Sequence, residues 1–340
     1  MPIYLDHAHN SLPKPKEVGQ AMAAALNAPL DGTLIEKAAR KAEEFFHSPG
    51  SYLFTANRTQ SLKIILEQIL PPDGQLLYIG LWTDGLGKLL EGNIAIPLDR
   101  KGQIDLPQVE GQISPQTKLI LTHFACPLTG TILPWKEIQA LAHKYEIPMV
   151  LDISTAVGLL PLELNDCDLA IFPGHTGLLC PPGIAGLYIS PRLLESHPWP
   201  TQEELGTPNL PGIAGLMAAM KLLMKKDLSQ LQKIWQGYLK DLLDFIAQYP
   251  GVAIYGPGDP LGQVPILAFN IQDLPAKEVA AVIDEVYDIQ LAGSITLPEA
   301  MASSLGCPPT GLLRASFSYQ TRPEEIAYFS RAIKEISIPV

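Results

Sequence analysis

PMVLDISTAVG (residues 148–158), DLAIFPGHTGLLCPPG (168–183) and IAGLYIS (184–190) follow one another within Tyr145–Ser190 and read as three buried strands. Each is a short apolar run bounded by polar or Gly/Pro residues, the pattern of a strand covered on both faces. The polar and Gly/Pro ends are expected to converge at one edge of a sheet, the usual place for a ligand in an open α/β fold. The functional site is therefore expected there, around Asp152, His175 and Thr176.

Upstream, WKEIQALAHKYE places Ile138, Leu141, Ala142 and Tyr145 on one apolar stripe, which predicts the crossover helix before PMVLD. Strands are expected at QLLYIG, NIAIPL and TKLILTH. Buried strands alternating with helices indicate βαβ units and a mainly parallel sheet, hence the α/β class. SYLFTANRTQSLKIILEQIL reads as a strand end, a polar turn and a helix carrying Leu62, Ile65, Leu66 and Ile69. The helix start at Asn57–Ser61 would present free N–H groups and favour an anion. Nearer the N-terminus, a short strand at Ile3–Leu5 precedes a helix opened by Pro15 and a second helix over Leu34–Phe46.

Downstream, GTPNLPGIAG leads into helices expected at Gly212–Lys225 and Leu228–Gln248, and YPGV marks a lobe boundary. Strands at Val252–Tyr255, Val264–Ile271 and Leu312–Ser318, with helices at Pro275–Tyr287 and Pro323–Ile336, predict a smaller α+β unit. The expected division is an N-terminal segment, 1–15, packing near the small domain, a large α/β domain, 16–249, and the small α+β domain, 250–340. Between Ala292 and Gly311 lies a connection of about 20 residues, beyond the usual length, so it is expected to be functional or poorly ordered.

The chain has 340 residues, 47% of them hydrophobic, enough for a large core and more than one lobe. Its net charge is −11 with no basic run, which argues against nucleic acid as a partner. No apolar stretch approaches a membrane span, and MPIYLDHAHN lacks a basic region followed by an apolar core. A cytoplasmic protein without a membrane partner is the expectation. Cys126, Cys167, Cys180 and Cys307 form no CxxC pair and read as reduced thiols. His7 and His9 stand at i, i+2 without an identifiable third ligand, so no metal is expected.

Several segments, in order, resemble the class V aminotransferases and cysteine desulfurases. YLDHAHNSLPKPKEV resembles their opening segment, TANRTQSL their phosphate turn, and LTGTILPWKEI the loop and helix before the aspartate. GTPNLPGIAG and GLLRASFSYQTRPEEI resemble later signatures. The resemblance implies the pyridoxal phosphate (PLP) fold-type I architecture: a seven-stranded-type sheet between helices, normally in a homodimer with both sites at the interface.

It also implies roles. Asp152 would hold the cofactor's ring nitrogen protonated. Thr59, with Arg58 beside it, and Thr207 of a neighbouring subunit would take the phosphate, and Trp82 stands where the family's ring-stacking histidine does. His175 matches the histidine before the family's lysine. Arg314 matches the arginine that grips an amino-acid carboxylate, and His7 and Asn10 would line the substrate side. Buried in an apolar strand, Arg314 needs a carboxylate from a ligand or from within the protein, and the ligand is the favoured expectation.

The rest of the family's machinery is replaced. The Schiff-base lysine position holds Thr176, which can neither form an aldimine nor move protons at a substrate carbon. The sulfur-accepting cysteine falls at Thr296, a far poorer nucleophile. Thr155 stands for a glutamine, Pro127 for an asparagine and Pro173 for a serine. The expectation is a desulfurase-like protein without normal desulfurase activity, keeping a pocket for PLP, not covalently bound through Thr176, or for another anionic or amino-acid ligand, in a binding, regulatory or scaffold role. An active PLP-dependent lyase or aminotransferase with altered machinery is the alternative.

Overall fold

The three apolar runs around Asp152 form neighbouring strands of a seven-stranded sheet. The computed structural model describes residues 2–337 apart from 28, 30, 31, 81, 83, 84, 273, 296, 298, 309 and 310. In chain order its strands are β1 (Ile3–Tyr4), β2 (Ser51–Thr55), β3 (Gln75–Ile79), β4 (Ile94–Ile96), β5 (Thr117–His123), β6 (Met149–Asp152), β7 (Leu169–Pro173), β8 (Ala185–Ile189), β9 (Val252–Tyr255), β10 (Ile266–Ile271), β11 (Ile289–Gln290), β12 (Ala292–Ile295) and β13 (Leu312–Ser316).

The large sheet has the order β2-β8-β7-β6-β5-β3-β4. Its two faces follow from alternation along each strand. Leu121, Val150, Ile171 and Leu187 enter one apolar cluster, whereas Ile120, Leu151, Phe172 and Tyr188 enter the other. Helix Arg58–Ile69 packs against β7 and β8, and helix Leu210–Leu223 packs against helices Lys16–Ala25 and Thr33–Phe46. With both faces covered, the strands read as nearly unbroken apolar runs.

One expectation fails in direction. β6 and β7 end at the site edge, but β8 is antiparallel to both of its neighbours, so it begins there. The connection from Gly174 to Ile184 is too short to carry a crossover helix back to the far edge, which leaves only an antiparallel return.

β12, β13, β10 and β9 form an antiparallel four-stranded sheet, and β1 pairs parallel with β11. The Leu5 N–H donates to Gln290 O at 2.7 Å and Ser316 N–H donates to Leu5 O at 2.7 Å, so residues near both ends of the chain meet. The long connection after Ala292 is not structureless. It contains β12 and helix Glu299–Leu305, because short apolar residues pair with β13 and Ala302 and Leu305 are buried. Thr296 lies outside the described residues.

The loops after β6 and β7 touch backbone to backbone. A Cβ on Gly177 would sit 1.9 Å from Val157 O, and one on Gly158 would sit 2.3 Å from Gly177 O. Only glycines permit this approach. It holds Thr176 against Ser154.

Candidate functional site

β5 and β6 run in register so that His123 and Asp152 are partners at the two strand ends. Asp152 is fully buried. An unpaired carboxylate there would be costly, yet three groups answer it. Arg58 Nη1 donates to Asp152 Oδ2 at 2.6 Å and to Ser154 Oγ at 3.2 Å. The Ser154 N–H donates to Asp152 Oδ1 at 2.9 Å and the Ser154 hydroxyl donates to the same oxygen. His123 Nδ1 lies 3.6 Å from Asp152 Oδ2. Burial pushes the carboxyl up, but the Arg58 charge, then His123 and Ser154, overcome it and hold Asp152 well below the usual carboxylate range.

Arg58 comes from the first turn of its helix, capped by the Asn57 side chain, which accepts from Gln60 N–H at 2.9 Å. Thr59 follows, half-buried. Trp82 stacks on His123 with ring centroids 3.8 Å apart and its indole N–H donates to Ile79 O at 3.1 Å.

These groups border a cavity of about 280 Å³. Of the residues expected at the site, Arg58, Thr59, Trp82, Thr155, His175, Thr176 and Arg314 line it, joined by His9, His123, Ser154, Pro127 and Pro173. Asp152 lies behind Arg58 and His123. His7 does not line it; that ring faces a separate space of about 10 Å³, and its Nδ1 makes no hydrogen bond. Asn10 is likewise outside the wall, with its Oδ1 accepting from Lys14 Nζ at 2.8 Å. Thr207 is exposed and does not line the cavity of its own chain.

Most polar groups of the wall are already engaged. The Thr176 hydroxyl donates to Ser154 O at 2.9 Å, and the Thr155 hydroxyl donates to Ala125 O at 2.9 Å. Arg314 corrects the expectation of a ligand: Nη2 donates to Asp6 Oδ1 at 2.9 Å and Nη1 to Pro127 O at 2.9 Å. The internal carboxylate wins because the pairing of β1 with β11 carries the opening segment over the strand that bears Arg314.

His175 presents its ring to the cavity, while its carbonyl accepts from Ser11 N–H at 2.9 Å and from Lys14 Nζ at 3.0 Å. Burial, then the charges of Lys14, Arg58 and His9, lower the His175 pKa to about 4, so the ring is neutral at pH 7. Burial lowers Lys14 to about 8. The four cysteines are buried and unpaired, and burial pushes Cys180 up to about 12, which makes it an inert thiol.

Sequence reasoning missed His123, Ser154, Asp6 and Lys14. His123 ends TKLILTH at the same sheet edge as Asp152, a signal that was available. Asp6 gave none, because Arg314 is distant in the chain, and nothing local to Lys14 points to the His175 carbonyl.

The arrangement does not fit PLP held as the resemblance implies. The contact on Asp152 belongs to the Arg58 guanidinium, and the lysine position offers a hydroxyl bonded to backbone.

The aminotransferase class-V family model matches residues 32–329. A probable cysteine desulfurase of Methanothermobacter thermautotrophicus is 27% identical over 267 residues, 71% of this chain and 66% of that protein. A cysteine desulfurase of Escherichia coli is 30% identical over 213 residues, 56% of this chain and 52% of that protein. The matched stretches thus span about half to two thirds of these relatives. The apo cysteine desulfurase of Thermococcus onnurineus superposes with a TM-score of 0.87 at 22% identity, covering 99% of this chain and 94% of that one. A C-DES mutant with glycine covalently linked to its PLP cofactor superposes with a TM-score of 0.82 at 19% identity, covering 97% and 95%. The two structures share the fold, and the family match carries the assignment: the chain belongs to the class V aminotransferases and is cysteine desulfurase-like.

Proposed function

We propose that this protein binds a small anionic molecule at the Asp152 edge of its sheet, in a binding, regulatory or scaffold role, and does not carry out PLP-dependent desulfuration. The observation that carries this reading is the Thr176 hydroxyl, which donates to Ser154 O at 2.9 Å in the position the resemblance gives to the lysine. A hydroxyl committed to backbone supplies neither an amine to capture an aldehyde nor a base for a substrate carbon. Because Arg58 neutralises Asp152, the remaining charge near the cavity is positive: Lys14 lies against the His175 carbonyl. Thr59 adds a hydroxyl beside the helix N-terminus. A ligand carboxylate reaching Arg314 competes with Asp6 for Nη2.

On this reading no covalent link to PLP forms at Thr176. The protein works as a homodimer in the cytoplasm, and the exposure of Thr207 supports a role for that residue in the neighbouring copy's site. Among the described residues no helix is long and apolar enough to cross a membrane.

The test is to incubate the full chain with PLP and cysteine, measure sulfide and alanine, and map lysines after borohydride reduction. Neither product should form, and inorganic phosphate should bind in calorimetry. Catalytic sulfide release overturns the proposal.

One observation favours a working PLP-dependent lyase or aminotransferase instead. Lys14, with a lowered pKa of about 8, lies 3.0 Å from the His175 carbonyl. A borohydride-labelled Lys14 peptide, together with turnover of an amino acid, would select that reading.

A further inference from the structure

Arg58 starts in the turn TANRTQSL, which resembles the family's phosphate turn, and its guanidinium ends on Asp152, the carboxylate that the resemblance gives to the ring nitrogen. The side chain therefore runs from the phosphate end of the cofactor slot to its ring-nitrogen end. Three further facts make this a built arrangement. Asp152 has no exposure, so its charge needs a permanent partner inside the protein. Ser154 accepts from the same Nη1 at 3.2 Å, and its own N–H and hydroxyl complete Asp152 Oδ1, so the guanidinium sits in a formed cradle. Trp82 packs on His123 at 3.8 Å, closing the wall beside that cradle.

We propose that Arg58 is a built-in counter-ion that takes the place of the cofactor's protonated ring nitrogen on Asp152 and thereby excludes PLP from the slot. The inference deepens the proposed function, on which it rests, and takes from the resemblance that Asp152 is the ring-nitrogen position. A protonated pyridine and a guanidinium compete for one carboxylate. The guanidinium, tethered to the same chain and positively charged at any working pH, holds it without a binding-entropy cost. What remains open is the part of the cavity beside Thr59, His9 and His175, suited to a smaller anion.

The test compares full-length wild type, Thr176→Lys, Arg58→Met, and the double variant. PLP is titrated by tryptophan quenching, with inorganic phosphate as the competing probe, and adduct formation is followed by absorbance and borohydride mapping. In the Thr176→Lys proteins the new amine condenses with the PLP aldehyde and releases water. Thr176→Lys alone should form little of this adduct, and the double variant should form it stoichiometrically. Arg58→Met should bind PLP at least about tenfold more tightly than wild type, a gain of about 1.4 kcal/mol. Stoichiometric adduct in Thr176→Lys alone overturns the proposal, as does unchanged or weaker PLP binding in Arg58→Met. Because Arg58→Met leaves Asp152 without its main partner and can fail to fold, the Thr176→Lys measurement decides the matter without it. The outcomes are distinguishable: sulfide release by wild type defeats both proposals, whereas results in the Thr176→Lys background bear only on Arg58.

Discussion

Asp6 holds Arg314 at 2.9 Å across 308 residues of chain, joining the opening segment to β13 and occupying the guanidinium the family's resemblance assigns to substrate. Both side chains are mostly shielded, Arg314 at 12% and Asp6 at 18% exposure, and Arg314 also donates to Pro127 O. Removing either charge leaves the other poorly solvated.

Asp6→Asn and Arg314→Met are each expected to destabilise the protein by about 3 kcal/mol, and the double variant by clearly less than the sum. Urea unfolding of the three variants measures this. Strict additivity would show that the pair is not coupled. Asp6→Asn should also raise the affinity for small carboxylates, since it frees the guanidinium; unchanged affinity counts against Asp6 as an internal competitor.

Much of this architecture is legible in the sequence. The runs around Asp152 are apolar because both sheet faces are covered, and the alternation with helices follows from the parallel connections. The direction of β8 is legible only in the length of the loop before it, because AGLYI has no polarity of its own. Arg58 is harder still. In the sequence it stands beside Thr59 as a phosphate contact, and its route to Asp152 depends on where β6 ends in space. Asp6 and Arg314 meet through tertiary pairing alone. Thr176, by contrast, is legible as a departure from the resemblance, and its bond to Ser154 explains what the hydroxyl does in the site.

Acid should weaken the fold before its carboxylates titrate. Burial lowers the His7 pKa from 6.5 to about 4, so between those values the unfolded chain binds the proton that the folded protein refuses. The contribution is fully present above pH 6.5 and is lost as pH falls towards about 4. Its slope reaches about 1.4 kcal/mol per pH unit. His175, also lowered by burial, adds in the same direction. Urea unfolding between pH 7.5 and pH 5, a range above the usual carboxylate values, should show falling stability, and His7→Leu should flatten the slope. Equal slopes in the two proteins would remove His7 as the cause.

Two glycines should respond with opposite signs to the same change. A Cβ on Gly177 meets Val157 O at 1.9 Å, so Gly177→Ala has to part the loops that carry Ser154 and Thr176, at about 3 kcal/mol. Gly19, in helix Lys16–Ala25, has nothing within 4 Å of an added Cβ. Gly19→Ala should therefore stabilise by about 0.5–1 kcal/mol through helix propensity. Thermal melting compares them, and a neutral Gly177→Ala would contradict the backbone contact.

Lys14 should be the most reactive lysine amine among the described residues. Burial lowers its pKa to about 8, while its Nζ donates to Asn10 Oδ1 at 2.8 Å and to the His175 carbonyl at 3.0 Å. A neutral amine has two N–H bonds, so both acceptors stay satisfied after the proton leaves and the lone pair remains for attack. Burial is what favours deprotonation, and the two acceptors, which stabilise the charged form more than the neutral one, work against it. Competitive acetylation followed by peptide mass spectrometry should therefore show Lys14 labelling with a midpoint near pH 8, below the ordinary lysine value of about 10.4. Asn10→Leu removes one acceptor and leaves the His175 carbonyl, so the midpoint should move further down, because the charged form loses more than the neutral one. An unmoved midpoint would assign the shift to burial alone, and a Lys14 midpoint equal to that of the exposed lysines would remove the amine from consideration as a nucleophile beside the cavity.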